Sequence, residues 1–317
     1  KDATYEVPLY IRVRLENKKT GRSTAQEIYF GDLPAMTSRG TFIINGVERV
    51  VVSQLIRSPG GYFTAAPRRD RQLFGAKIIP NRGAWLEFET DLDGFIGVKI
   101  DRNRKVAVTD LLRVFGASEE RIRSAFQDID KGQIRHIDAT LKKGAAKDVS
   151  ESYLEIYRRL RPGDPATPAT AKNLIDSIFH KFERYDLSPV GRFKVNQRLG
   201  LPARASQRQA GLPAVVLTKA GEKKEKDSHL LDVEDLIMIV REIIRLNNTP
   251  TAKPDDIDHL GNRRMKSVGE LLQGRLRVGL ARLRRIVQDR MSTIERDNLM
   301  PAQLINFRPI SAVVKEF

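Results

Sequence analysis

The chain lacks cysteine altogether and has one tryptophan and four histidines in 317 residues. Without cysteine there can be no disulfide, no cysteine zinc site and no thiol nucleophile. The histidines, His136, His180, His229 and His259, lie too far apart for a zinc-binding spacing. No apolar run approaches the roughly 18 residues of a membrane span, and the first residues do not resemble a signal peptide.

Motifs for an enzyme are also missing. Neither common Gly-rich phosphate loop is present. Asp255, Asp256 and Asp258 are close enough in sequence to suggest a Mg²⁺ site. The favoured interpretation is that they cap a turn or pair with Arg263 and Arg264, since short-range capping is a common use of aspartate. We therefore expect no catalytic set and no metal in this chain.

Positive charge is what the sequence has in excess. There are 56 Lys and Arg against 40 Asp and Glu, a formal net charge of +16. Such a surface attracts polyanions and releases counterions on binding, so nucleic acid is the first candidate partner. An acidic protein or an anionic membrane surface is the alternative. One predicted helix carries six arginines, for which a solvated face is the alternative interpretation: Arg275, Arg277, Arg282, Arg284, Arg285 and Arg290.

Strand patterns occupy the first hundred residues. Alternating apolar residues predict a strand from Tyr5 to Leu15, and Gln26 to Phe30 is a short returning strand. Asn45-Gly46 predicts a tight hairpin turn, because both central positions of that turn favour positive φ. The predicted hairpins pair Phe42–Ile44 with Val50–Val52, and Trp85–Thr90 with Phe95–Ile100.

Helices are predicted for most of the remaining sequence. Their starts are marked by Ser118, by Pro168 after Thr167, by Asp232 and by a capping box at Ser267–Glu270. Residues 201–229 are rich in Lys, Ala, Gly and Pro without a sustained period, and they predict a mobile basic loop. Strands followed by helices indicate the α+β class.

Three stretches resemble signature sequences of the bacterial RNA polymerase β subunit family. They are Gly40–Leu55, Arg161–Pro165 with Arg184–Leu187, and Asp255–Arg264 with Ser267–Glu270. The order and content of the sequence match the family along nearly the whole chain. The predicted loop at 201–229 does not match, so no function is carried over to it.

The resemblance implies two domains. Residues 1–46 and 252–317 correspond to the family's protrusion domain, built from antiparallel strands and helices at both chain ends. Residues 47–251 correspond to its lobe domain, which is mixed, mainly helical, and inserted into the first. In the family these domains form one jaw of the DNA cleft. The Mg²⁺-binding carboxylates belong to the β′ subunit, so the resemblance implies no cofactor and no catalytic residue here, and both chain ends are expected to continue into a longer polypeptide.

A base-specific DNA contact is also implied. The family has a pocket for an unstacked guanine of the non-template strand, and its positions correspond to Arg57, Arg161, Arg184, Asp258 and Arg263. Trp85 corresponds to the residue that stacks on the neighbouring base, and Arg102 and Arg104 are placed to reach phosphates. The alternative is a structural network in which Asp258 pairs with Arg263, the other arginines cap turns and Trp85 lies in the core.

Further contacts follow from the same resemblance. Val52 and Gln54 correspond to the edge of the rifampicin pocket, although Val52 can also be an ordinary strand-packing residue. The segment Ser23, Thr24, Ala25, Gln26, Glu27 and Ile28 corresponds to an edge strand that docks a CarD-type regulator or the transcription-repair coupling factor. The alternative is an edge left bare in solution.

The remaining partners implied are DNA, the β′, α and ω subunits and a sigma factor, in the cytoplasm at the nucleoid. Two other functions stay open from the sequence. The chain could be a stand-alone nucleic-acid-binding protein, or a protein-docking platform without DNA affinity. Sequence beyond Phe317 would test the first, and salt-sensitive DNA binding by the chain would count against the second.

Overall fold

The structure, a computed structural model, describes residues 2–17, 21–69, 71–201, 229–293 and 300–317. Strands and helices are both present, which confirms the α+β class. The chain forms two compact units. We call Lys1–Ile56 with Met265–Phe317 the terminal unit, and Arg57–Arg264 the central unit. Apart from its two end residues, the loop predicted at 201–229 lies outside the described residues.

The strands are β1 (Glu6–Glu16), β2 (Ser23–Pro34), β3 (Phe42–Ile44), β4 (Val47–Arg49), β5 (Gln54–Arg57), β6 (Gly60–Arg68), β7 (Arg71–Ile79), β8 (Leu86–Thr90), β9 (Ile96–Ile100), β10 (Val106–Ala107) and β11 (Arg263–Lys266). The helices are α1 (Val108–Val114), α2 (Glu119–Phe126), α3 (His136–Lys143), α4 (Val149–Leu160), α5 (Pro168–Phe179), α6 (Ser188–Leu199), α7 (Val233–Asn247), α8 (Val268–Thr293), α9 (Pro301–Leu304) and α10 (Arg308–Glu316). None of the helices in the described ranges is long and apolar enough to cross a membrane.

The terminal unit is built around the antiparallel pair β1 and β2. Its small core forms where Phe30 of β2 meets Leu283 of α8 and Ile310 of α10. The returning strand predicted at Gln26–Phe30 is present as β2, which extends further in both directions. Since few side chains are buried in this core, large apolar side chains such as Tyr10 remain exposed.

The Asn45-Gly46 turn forms as predicted, but its second strand does not. Both turn residues have positive φ, 50° and 77°. A two-residue turn pairs the residues that flank it directly, so Ile44 lies opposite Val47 and the partner strand is Val47–Arg49. The predicted strand at Val50–Val52 is wrong, because the three-residue ladder has already ended at Arg49.

The central unit contains a five-stranded antiparallel sheet in the order β10-β9-β8-β7-β6. The predicted pairing of β8 with β9 is confirmed, whereas β6 and β7 were not predicted. Side chains of the sheet and of the helices packed on it form one continuous core. Among its largest fully buried members are Phe63, Leu86, Phe88, Ile96, Leu111, Leu112, Ile122, Ile156, Phe179 and Tyr185.

Three predicted helix starts in the central unit are confirmed by their caps. The side chains of Ser118, Thr167 and Asp232 each accept a hydrogen bond from the backbone N–H three residues later. Such bonds satisfy amides that have no partner within the helix. These starts were readable from the sequence because a cap depends only on neighbouring residues.

The boundaries between the two units lie at later positions in the chain than those expected from the resemblance. The division falls at 56/57 and 264/265, compared with the expected boundaries at 46/47 and 251/252. These positions lie inside β5 and β11, which pair with each other in a two-stranded sheet. The expected boundaries were taken over from the family resemblance and stay a prediction, whereas the division of the described chain falls within long-range strand pairing.

Asp110 is a buried carboxylate at the start of α1. Its side chain is 1% exposed, and one oxygen accepts a hydrogen bond from Arg113 Nη1 at 3.2 Å. The other oxygen, Oδ2, is buried and has no hydrogen-bond partner. Burial raises the pKa of Asp110 from 3.8 to about 6, although the Arg113 guanidinium acts in the opposite direction.

This raised pKa predicts a pH dependence of stability. The folded chain holds the proton more tightly than the unfolded chain, so its stabilising contribution is complete below about pH 4 and is lost as the pH rises through about 6. Asp110→Asn removes the titration. The free energy of unfolding of the variant should therefore fall less between about pH 4 and pH 7 than that of the parent, by about 2 kcal/mol.

Urea unfolding followed by circular dichroism across this pH range measures the difference. Asp164→Asn, which changes a carboxylate that is 55% exposed, serves as the control and should keep the parent's pH dependence. Parallel curves for Asp110→Asn and the parent would contradict the assignment.

Candidate nucleic-acid interface

Two residues from opposite ends of the central unit, Arg57 and Asp258, come together at its surface. Arg57 Nη2 lies 3.9 Å from Asp258 Oδ1, and the side chains are 40% and 72% exposed. Asp258 therefore faces Arg57 and not Arg263, the partner considered from the sequence. An exposed pair at this distance contributes little to stability, so both groups remain available to a ligand.

The loop that carries Asp258 is held by hydrogen bonds on both sides. Asp256 Oδ1 accepts from the backbone N–H groups of Asp258 and His259, at 3.0 and 3.1 Å. Asn262 Nδ2 donates to the backbone oxygen of Asp256 at 2.6 Å. Ser58 N donates to Asn262 O at 2.8 Å. The loop is thus fixed internally and tied to the residue that follows Arg57.

The clustered aspartates are used within the fold. Asp256 caps the turn, as the favoured interpretation held. Both oxygens of Asp255 accept from Arg198 Nε, at 3.0 and 2.9 Å, and Oδ2 also accepts from Phe63 N at 2.8 Å. Among the residues that the structure describes, no three His, Cys, Asp or Glu side chains are arranged to hold a metal.

A second cluster forms around Trp85, which is half-buried and immediately precedes β8. Its backbone N–H donates to Asp101 Oδ1 at 2.8 Å, and its carbonyl accepts from Asp101 N at 3.0 Å. The Arg102 guanidinium lies 5.9 Å from the centre of the Trp85 ring. Asp101 and Arg102 both have positive φ, 49° and 63°, so a constrained turn holds the arginine beside the tryptophan.

The backbone of Arg184, but not its side chain, lies near the Trp85 cluster. A bridge between Arg82 and Asp186 places the 184–186 turn against the segment that leads to Trp85. The approach is so close that a Cβ on Gly83 would lie 2.8 Å from Arg184 O. The Arg184 side chain itself donates to Ser177 Oγ at 3.2 Å.

The remaining predicted arginines have other surroundings. Arg161 ends α4 and lies 3.9 Å from Asp164, while Arg104 and Arg263 are exposed. Within the described ranges, none of these three forms a hydrogen bond or ion pair with Asp258 or Trp85. The structure therefore joins Arg57 with Asp258 and Arg102 with Trp85, and it leaves the other pocket positions outside direct contact.

Val52 and Gln54 line a cavity of about 930 Å³ in the terminal unit. Leu271, Leu276 and Phe317 contribute apolar surface to the same cavity. Val52 is 77% exposed and belongs to no strand, so the strand-packing alternative for it is wrong. Its antibiotic role remains a prediction.

The segment Ser23–Ile28 lies at the start of β2, where Gln26 is opposite Val13 and Glu27 is opposite Arg12 of β1. In the described part of the chain the sheet has only these two strands. The side chain of Gln26 also accepts a hydrogen bond from Ala302 N at 3.3 Å. The Glu27 side chain is exposed.

Sequence reasoning missed two of the residues that orient these groups. Asp101 and Asn262 help to position the tryptophan and the loop and were not predicted to do so, whereas Asp256 was expected to cap a turn. A local signal did exist, since aspartate and asparagine bond to backbone groups two or three residues away and tolerate positive φ. The signal shows where a turn forms but not which distant group the turn faces.

Comparison with known proteins gives a consistent result. The family model described as RNA polymerase beta subunit matches residues 1–312. The chain is 42% identical over 333 positions to the DNA-directed RNA polymerase subunit beta of an Arthrobacter species, and 43% identical over 329 positions to that of a Nocardioides species. Each alignment covers 100% of this chain and 26% of the relative. The chain thus spans about a quarter of the length of the curated relatives it matches.

Because Trp85 is the only tryptophan, its fluorescence reports on the turn at Asp101. Asp101→Ala removes the side-chain acceptor of the Trp85 backbone N–H. It also places alanine at a φ of 49°, which is unfavourable for that residue. The emission should shift to longer wavelength as the ring gains exposure. Asp101→Asn keeps an acceptor and tolerates the φ, so it should preserve the parent's spectrum. Equal spectra for the alanine variant and the parent would show that Asp101 does not hold Trp85.

Proposed function

Because the chain belongs to the RNA polymerase beta subunit family, we propose that it forms one jaw of the DNA cleft of a DNA-directed RNA polymerase. The terminal unit would be the protrusion and the central unit the lobe. The jaw would contact promoter, non-template and downstream DNA, while the nucleotidyl transfer takes place elsewhere in the enzyme. The net charge of +16 supports a polyanionic ligand.

The Arg57–Asp258 pair is the observation that carries a base-specific role. An ionised carboxylate can only accept hydrogen bonds, and the Watson–Crick edge of guanine presents two adjacent donors, N1–H and N2–H. Adenine does not present that pattern. Asp258 is exposed and sits on a fixed loop, so an unstacked guanine could replace its weak interaction with Arg57. Arg57 would then contact the base face or a flanking phosphate.

The Trp85 cluster would take the next base. A half-buried ring at the surface offers a stacking face to an unpaired base of any identity. Arg102 and Arg104 lie in the turn that follows β9 and are exposed, so they are placed to bind phosphates. Stacking and phosphate contacts would supply affinity, whereas Asp258 would supply the preference for one base.

The terminal unit would serve protein and antibiotic contacts. The start of β2 is exposed at Ser23–Ala25 and at Glu27 in a two-stranded sheet, which favours docking by strand addition. A CarD-type regulator or the transcription-repair coupling factor is the proposed partner, beside the β′, α, ω and sigma subunits. The cavity lined by Val52 and Gln54 is proposed as the edge of the rifampicin pocket.

Asp258→Ala should abolish the preference for guanine at one non-template position, while binding to DNA in general survives. One lost base contact typically costs about 1–3 kcal/mol. The measurement is the open-complex lifetime of the assembled polymerase on templates that differ only at that base. Asp138→Ala, which removes another partly exposed carboxylate, should retain the preference.

Arg102→Ala separates specificity from affinity in the same assay. It should shorten lifetimes on all templates alike and flatten the salt dependence. An Asp258→Ala enzyme that distinguishes guanine as well as the parent does would show that the pocket assignment is wrong.

Glu27→Lys should abolish docking of the regulator, because it reverses a charge at the exposed start of β2. Open-complex lifetimes without the regulator should stay at the parent's values. Titration of labelled regulator against the assembled polymerase measures the binding. Glu120→Lys makes the same charge change at an exposed position of α2 and should bind normally. Normal binding by Glu27→Lys, or crosslinks that map only to the central unit, would rule out docking at β2.

A further inference from the structure

Helix α6 packs directly on the segment that follows Arg57. A Cβ on Gly191 of the helix would lie 2.9 Å from the Pro59 side chain, and a Cβ on Gly60 would lie 3.1 Å from Lys194 Cβ. Only glycine permits so close an approach at these two positions. The base of the Lys194 side chain therefore lies over Gly60, three residues from Arg57.

The far end of Lys194 reaches the loop that carries Asp258. Its Nζ donates to Gly261 O at 2.7 Å and to Asn262 Oδ1 at 3.3 Å. Among the described residues Lys194 has no carboxylate partner, and burial lowers its pKa. The ammonium is thus partly removed from water without an ion pair. Both of these hydrogen bonds are made to the loop.

The Arg57–Asp258 pair cannot fix its own geometry. Its 3.9 Å separation and the exposure of both side chains make it weak. The separation must therefore be set by the segments that carry the two residues. Those segments are joined by the Ser58–Asn262 backbone bond and by Lys194, which contacts both of them.

We propose that Lys194 is a positioning residue for base recognition, which clamps the 256–262 loop against the segment after Arg57 and so holds Asp258 in place. This inference rests on the proposed function of the Asp258 pocket. Lys194 acts through the loop and does not touch the base. Asn262 is its counterpart on the loop, since its amide also donates to Asp256 O.

A direct phosphate contact by Lys194 is the competing interpretation. Lys194 does line an open cavity of about 550 Å³ at this surface. Asp255, Asp256 and Arg198 line the same cavity, so the two carboxylates balance the two cations and the cavity offers an anion no net attraction. The two hydrogen bonds of the ammonium also point to the loop. Positioning accounts for these contacts better than anion binding does.

Lys194→Met tests the clamp, since it keeps the aliphatic chain over Gly60 and removes the ammonium. In the assembled polymerase the preference for guanine, measured by open-complex lifetimes, should fall about two- to tenfold, the range expected for a lost hydrogen bond. In an Asp258→Ala background the same substitution should have no further effect on base preference, because there is nothing left to position. Lys172→Met changes an exposed lysine of α5 and should behave as the parent.

Amide hydrogen exchange provides a second readout that does not depend on DNA. Lys194→Met should speed exchange at the backbone amides of His259 and Gly261, which the held loop protects. Should Lys194→Met fail to assemble, Asn262→Ala tests the same contact from the loop and should give the same two results.

Three results would overturn the proposal. One is a Lys194→Met enzyme with the parent's guanine preference. Another is an equal loss on all templates with a weaker salt dependence, which would identify a phosphate contact. The third is unchanged exchange in the loop. By contrast, faster loop exchange together with an Asp258→Ala enzyme that still prefers guanine would leave the clamp standing and refute only the proposed function of the pocket.

Discussion

The backbone hydrogen bond from Ser58 N to Asn262 O closes the central unit. A unit inserted into a chain must begin and end at neighbouring points, and this bond joins those two points. Arg57 precedes one end and Asp258 precedes the other, so closure places them side by side although they are distant in sequence. The candidate site therefore depends on how the central unit is closed. Closure of the central unit sets the approximate position of Asp258. The hydrogen bonds of Asp256 within the loop and the packing of α6 then fix that position more closely.

Two charged pairs of the central unit lie near opposite ends of the range of exposure, and the contrast shows which one is free to act. Arg192 and Asp235 are each 5% exposed and meet at 2.6 Å. Burial raises the pKa of Asp235 although Arg192 lowers it, and loss of one partner would leave a buried charge uncompensated. Arg57 and Asp258 are mostly exposed and 3.9 Å apart. Their separation costs little, which suits groups that exchange an intramolecular partner for a ligand.

The sequence predicts the local features well and the long-range ones poorly. Helix caps such as Ser118 and the turn at Asn45-Gly46 depend on neighbouring residues, and both form as expected. The extent of a strand ladder does not depend on neighbouring residues alone, and the predicted strand at Val50–Val52 is therefore wrong. Strand β6 begins with Gly60-Gly61 and contains Pro67, residues that weaken a strand pattern. Pairing with β7 decides its structure. Spacing alone favours nearby Arg263 as the partner of Asp258, whereas the family resemblance grouped Asp258 with the distant Arg57 that it faces.

An exposed carboxylate is an unexpected group in a chain of net charge +16 for which a polyanionic ligand is proposed. Asp258 is 72% exposed and would repel any phosphate that approaches it, so it would lower affinity for DNA in general. Arginines cannot replace it for base choice, because phosphates attract them equally at every position. Guanine offers two N–H donors to a carboxylate acceptor, and in the proposed pocket their hydrogen bonds would offset the repulsion for that base alone. Arg57, at 3.9 Å, partly offsets the negative charge of Asp258 without removing its capacity to accept. In the proposed function a basic surface would thus supply affinity, and one acidic group held on a fixed loop would convert part of that affinity into a preference.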